Sequence, residues 1–107
     1  MTLQLTIQSR SWRLKEPFVI ARGTRTVANS IVVELNAGRH VGRGEAAGVP
    51  YAGETQASMT AQIEQARRAI ESGATRHDLI SLLPAGGARN AVDAALWDLQ
   101  AKQTGVR

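Results

Sequence analysis

Residues 29–46 read NSIVVELNAGRHVGRGEA, and this stretch decides the fold. Ile31, Val33 and Leu35 fall on one face of a strand over residues 29–37, because side chains alternate between the two faces of an extended chain. Asn36-Ala37-Gly38-Arg39 is a tight turn, since Asn and Gly tolerate positive φ. Residues 40–46 then return antiparallel to the strand before them. Upstream, over residues 3–12, Leu3, Leu5 and Ile7 alternate with Gln4, Thr6 and Gln8. That makes a second half-buried strand, and the three together form an antiparallel meander with one face buried and one wet.

Downstream of residue 55 the apolar period lengthens to that of a helix. Met59, Ile63, Ala66 and Ile70 recur at helical spacing, with Thr55 as N-cap and Gly73 ending the helix. Thr75 and Asp78 start a short second helix carrying Leu79, Leu82 and Leu83, which stops at Pro84. A third helix spans 87–104 and ends at Gly105. Its buried stripe is Val92, Ala95, Leu96 and Leu99, with Asp98 and Lys102 as an exposed pair four residues apart. The fold class is α+β: a three-stranded antiparallel meander followed by about three helices. With 107 residues and neither repeat nor linker, residues 1–107 form one domain.

Composition narrows the function classes. Apolar residues make up 43% of the chain but aromatics only 4%, so aliphatic side chains must fill the core. There is no cysteine, which excludes disulfides and thiolate metal sites. The N-terminus lacks the basic and apolar regions of a leader, and no apolar run has membrane-spanning length, so a cytoplasmic protein is expected and no membrane partner. The net charge of +4 comes mostly from Arg. It suits an acidic small molecule, because the guanidinium fork matches a carboxylate. Nucleic acid is not expected: Arg10, Arg13 and Lys15 cluster, but only Trp12 and Phe18 stand near them for stacking.

No catalytic residue emerges. His40 and His77 have no carboxylate or nucleophile at a spacing that would form a triad. Asp93 and Asp98 are five apart on one helix and point in different directions, so they cannot share a metal. Glu45, at a strand end, reads as a solvated charge. GRGEAAG at 42–48 lacks phosphate-loop spacing and reads as a twisted strand with a bulge. Residues 16–30 read as a long excursion off the sheet, and such excursions often carry function. Ala21-Arg22-Gly23-Thr24-Arg25 could present a guanidinium to a carboxylate, although spacing alone favours two solvated loop arginines. The six alanines at 85, 88, 91, 94, 95 and 101 call for close packing against something larger than a three-stranded sheet.

Three segments carry a resemblance: PFVIARGTRTVANSIVVEL, GRGEAAGVPYAGET and PAGGARNAVDAALWDLQAKQTG. Together they resemble the N-terminal capping domain of the enolase superfamily, muconate-lactonizing-like part, and most of all the dipeptide epimerases acting on L-Ala-D/L-Glu. The resemblance implies that the helix at 87–104 leads into a (β/α) barrel starting near Val106 and absent from these residues. In that barrel two lysines would exchange the substrate α-proton, and Mg²⁺ on three carboxylates would stabilise the enediolate. The cap would supply two loops that close over the barrel mouth, around residues 18–30 and 46–54. Position by position, Arg25 matches the arginine that binds the acidic side chain, with Arg22 beside it. Phe18 and Ile20 would line the pocket, and Tyr51 would sit on the lid. The implied partners are an acidic dipeptide and the barrel, with a homo-oligomer left open. A muconate cycloisomerase or o-succinylbenzoate synthase would share this cap, and a stand-alone binding module is the rival of a different class.

Overall fold

A computed structural model describes the backbone of residues 3–20, 23–47 and 53–105, and the side chains of these residues apart from 11–20 and 23–28. Strand β1 (Gln4–Ile20) pairs antiparallel with β2 (Gly23–Ala37), and β2 with β3 (His40–Ala47), in the order β1-β2-β3. The turn between β2 and β3 closes as its residue types require, with the Gly38 amide donating to Asn36 Oδ1 at 3.1 Å. Three helices follow: α1 (Gln56–Glu71), α2 (Leu79–Leu82) and α3 (Gly87–Thr104). Thr55 caps α1 through a reciprocal pair, its Oγ1 accepting from the Ser58 amide at 3.0 Å while Ser58 Oγ accepts from the Thr55 amide at 2.9 Å. Gly105 ends α3 at φ 77°, a left-handed conformation that glycine adopts without a Cβ clash.

All three helices lie on one face of the sheet. Leu3, Leu5, Ile31, Val33 and Leu35 meet Met59, Ile63 and Ile70 of α1, Leu79 and Leu83, and Ala88, Ala91, Val92, Ala95 and Leu99 of α3 in one core. Burying these side chains is the main stabilising contribution. Helix α1 is laced to the first strand by polar groups as well. The Leu3 amide donates to Glu71 O at 2.9 Å, the Leu5 amide donates to Glu71 Oε2 at 3.0 Å, and Arg67 Nη1 donates to Leu5 O at 2.6 Å. Those contacts occupy polar groups of an edge strand that would otherwise invite another chain. On α3, Arg76 forks onto Asp93 at 2.7 and 3.0 Å and lies 4.5 Å over the ring of Trp97, which is 60% exposed.

Three expectations need correcting. The glycines of β3 mark no bulge, because the β2–β3 register runs unbroken from Ser30↔Ala47 to Ala37↔His40. They let the α3 backbone come close instead. A Cβ on Gly42 would reach within 2.7 Å of the Leu99 amide nitrogen, and one on Gly44 within 2.8 Å of the Ala95 nitrogen while colliding with Ala91 O. The same contact answers the alanines: Ala88, Ala91 and Ala95 are fully buried inside this domain, so those three need nothing larger than the sheet.

The third correction concerns residues 16–30, whose described members, 16–20 and 23–30, are paired strand instead of an irregular loop. They are the far halves of β1 and β2, with Phe18↔Arg25, Val19↔Thr24 and Ile20↔Gly23 as partners. The register slips between Arg13↔Val27 and Phe18↔Arg25, so that residues 14–17 oppose Thr26 alone. Pro17 lies in the slip, and a residue with no N–H cannot donate to a ladder. The slip hides the alternation, while Val19, Ile20, Thr24, Thr26 and Val27 supply the β-branched content of a strand.

Two predictions follow from this packing. Gly44→Ala should lower unfolding stability by about 2 kcal/mol or more in denaturant titrations. Adding Ala91→Gly should not restore it, because the obstacle is backbone. The second concerns acid. The Lys102 ammonium and the Arg43 amide hold the Asp98 carboxyl below its ordinary range, the Arg76 guanidinium does so for Asp93, and the Thr75 amide and hydroxyl for Asp78. Lowered folded-state values add stability above the unfolded value of about 3.9 that is lost as pH falls. The thermal midpoint should therefore hold from neutrality to about pH 5 and drop below about pH 4, with Asp98→Asn showing a shallower drop.

Candidate functional site

Strand β3 ends at Ala47, paired with Ser30, and Ser30 is also the partner of Arg10 on β1. Beyond this row the described residues form two strands, β1 and β2. What projects is a β1–β2 ribbon, residues 11–20 and 23–29, that carries much of the stretch singled out from the sequence. Its root is where polar side chains collect.

Ser30 is buried, and its hydroxyl donates to Glu45 Oε2 at 2.7 Å. Glu45 is exposed, as expected of a strand-end charge, and it also ties β3 to the central strand through this hydrogen bond. Gln56, the first residue of α1, reaches the same row from the helix layer. Its Nε2 donates to Arg10 O at 2.8 Å and to Ser30 O at 3.0 Å, one carbonyl from each strand of the ribbon. A carboxamide nitrogen carries two hydrogens, which is the number two carbonyls require. Two residues earlier, Glu54 Oε2 accepts from the Gly87 amide at 2.8 Å. The amides that open a helix have no intrahelical partner and carry the positive end of its dipole, so a carboxylate there is favourable. No side chain of the N-cap residue, Gly86, does that work for α3.

Ser30, Glu54 and Gln56 are residues that sequence reading passed over. The usable signal was Glu54-Thr55-Gln56 directly ahead of a helix, but partners 33, 46 and 26 residues away leave no trace in local spacing.

Of the residues put forward for substrate contact, Phe18, Ile20 and Arg25 have described backbones within the ribbon, Phe18 and Arg25 being direct Cα partners. Their side chains lie outside the described residues, as do Arg22 and Tyr51 altogether. The described clefts lie elsewhere. One of about 530 Å³ is lined by Leu3, Thr75, Arg76, Leu99 and Gln100, toward the opposite end of β1 from the ribbon. Among the described residues no three His, Asp or Glu side chains assemble into a group that could hold a metal ion, and no helix is long and apolar enough to cross a membrane.

Residues 2–107 match the family described as mandelate racemase / muconate lactonizing enzyme, N-terminal domain. The L-Ala-D/L-Glu epimerase of Escherichia coli (strain K12) is 50% identical over 93 residues, covering 87% of this chain and 29% of that protein. An enolase family member from Agrobacterium tumefaciens with homology to dipeptide epimerases, solved with sodium and L-Ala-L-Glu, superposes at a TM-score of 0.94 with 38% identity, over 98% of this chain and 32% of that one. A dipeptide epimerase from Enterococcus faecalis, solved with Mg and L-Leu-L-Tyr, gives 0.81 with 30% identity, over 97% and 32%. The chain thus spans less than a third of the length of each of these relatives.

Glu54→Ala should expose the start of α3. We expect a loss of about 1 kcal/mol in denaturant titration, the usual size for a lost cap, with faster amide exchange at Gly87. An unchanged Gly87 rate would remove Glu54 from the capping role.

Proposed function

The chain belongs to the mandelate racemase / muconate lactonizing enzyme family through its N-terminal domain, and on that premise we propose that it is the substrate-reading cap of a dipeptide epimerase. The reaction in this reading is 1,1-proton transfer at the α-carbon of an acidic dipeptide of the L-Ala-D/L-Glu type, in the cytoplasm. Residues 1–107 act as one capping domain, and the chemistry lies in a barrel that these residues do not include. This chain alone is expected to be inactive.

The observation that carries the reading is the ribbon. It extends past the edge of the three-stranded sheet and brings Phe18 and Arg25 into register as partners, with Ile20 two residues along. Arg25 pairs its guanidinium with the side-chain carboxylate of the dipeptide, an arrangement that is bidentate and strong once water is excluded. Arg22 adds a second positive charge nearby. Phe18 and Ile20 form the apolar wall against the substrate stem, and Tyr51 closes from the segment between β3 and α1. Closing such segments over a site keeps bulk water from the reacting atoms.

Mg²⁺, where bound by the rest of the polypeptide, supplies charge stabilisation to the substrate carboxylate. The residues described here hold no donor set for it, so their part is to bind, orient and exclude water. The names of the relatives support the epimerase reading over a cycloisomerase or a stand-alone module.

The intact protein should wash deuterium from D₂O into the α-position of L-Ala-L-Glu, followed by proton NMR. No exchange with any dipeptide would end the reading. Arg25→Ala should lower kcat/KM for L-Ala-L-Glu by about a hundredfold, because it leaves a desolvated carboxylate unpaired, and change a neutral dipeptide only a few-fold. Equal losses on both would take the specificity role from Arg25.

A further inference from the structure

We infer that Gln56 is a positioning residue for specificity: its carboxamide sets the direction in which the β1–β2 ribbon leaves the sheet, and through it the place of Arg25. The inference rests on the reading of Arg25 as the residue that binds the acidic side chain. It concerns a residue that acts through the backbone of two strands.

Three observations converge on it. The first is the loss of the third strand. Past the row Arg10–Ser30–Ala47 the described residues give the ribbon no third strand, and two-stranded ribbons twist strongly and are marginally stable alone. Its direction must therefore be fixed at its root. The second is the clamp. Gln56 Nε2 donates to Arg10 O at 2.8 Å and to Ser30 O at 3.0 Å, tying both strands to the first turn of α1. That helix is itself fixed in the core by Met59, Ile63 and Ile70, so the clamp refers the ribbon to the rigid layer of the fold. The third is where Gln56 sits in the chain. It follows Thr55, which caps α1, and Glu54, which binds the Gly87 amide at the start of α3. The root of the ribbon and the end of the β3–α1 segment thus share one anchor three residues long.

Lever length decides how much this matters. Arg25 stands five residues from Ser30, about 17 Å at a strand rise near 3.3 Å per residue. A rotation of about 10° at the root moves Arg25 by about 3 Å over that lever. A shift of that size takes the guanidinium out of hydrogen-bond reach of the substrate's side-chain carboxylate. The clamp also needs a carboxamide in particular. A carboxylate would set acceptors against two carbonyls, and a hydrocarbon would remove the bridge between them.

The test compares Gln56→Met, which keeps length and removes the donors, with Gln56→Asn, which keeps the amide but is one methylene short. Both are made in the intact protein. Expected is a rise in KM for L-Ala-L-Glu on the order of tenfold with kcat nearly unchanged. A neutral dipeptide such as L-Ala-L-Leu should change less than about threefold, and adding Gln56→Met to Arg25→Ala should produce no further loss on the acidic substrate. Deuterium uptake read by mass spectrometry should rise in peptides from 11–30 and stay constant in peptides from α3. Unchanged uptake in 11–30 overturns the inference, and so does an equal loss on both dipeptides, which would mark a general structural role. If the wild-type protein epimerises no dipeptide, the functional reading has failed and the specificity role falls with it. In that case the uptake comparison still decides whether Gln56 anchors the ribbon.

Discussion

The close approach of two backbones, β3 at Gly42 and Gly44 against α3 at Ala91, Ala95 and Leu99, is the constraint on which the rest of the structure depends. Side chains at the two glycines would hold the helix away, and dense packing does not tolerate a shift of that size. With glycine there, Ala88, Ala91 and Ala95 are fully buried and Val92 drops into the core. The helix is then held along its length. Asp98 accepts from the Arg43 amide at 2.9 Å, and Lys102 Nζ donates to Val41 O at 2.7 Å, so hydrogen bonds fasten the C-terminal part of α3 to the start of β3.

From that contact the geometry passes to the working end of the molecule. Seating α3 on β3 fixes where Gly87 presents its amide, and so where Glu54 must be. Glu54 in turn stands two residues before Gln56, whose carboxamide holds the last three-stranded row of the sheet. The rigid part of the domain is thus an antiparallel sheet backed by helices, and the ribbon is a graft on its edge. The chain covers less than a third of the length of the relatives it matches.

Much of this was legible in the residues. The span 87–104 was readable as a helix because an alanine-rich stripe and a terminal glycine agree, and the observed bounds are the same. Thr55 was readable as a cap for the same kind of local reason. The ribbon was not legible as strand, since Pro17 and the four-against-one slip break the alternation on which a strand is recognised. Gly42 and Gly44 were seen but misassigned: a glycine that relieves a clash with a distant helix looks, in sequence, like one that allows a bulge.

What the sequence determined by itself is what neighbours within a few residues govern: the three-stranded part of the meander, the three helices, the Thr55 cap of α1, the Gly105 stop of α3 and the apolar faces that meet in the core. Periodicity and capping chemistry act over one or two turns, so they are written locally. Tertiary structure alone decided that Gly42 and Gly44 receive α3, that Glu54 caps a helix 33 residues on, and that Gln56 spans two strands at the root of the ribbon. Those contacts join groups far apart in the chain. Their energies depend on distances that exist only after the core has brought the layers together.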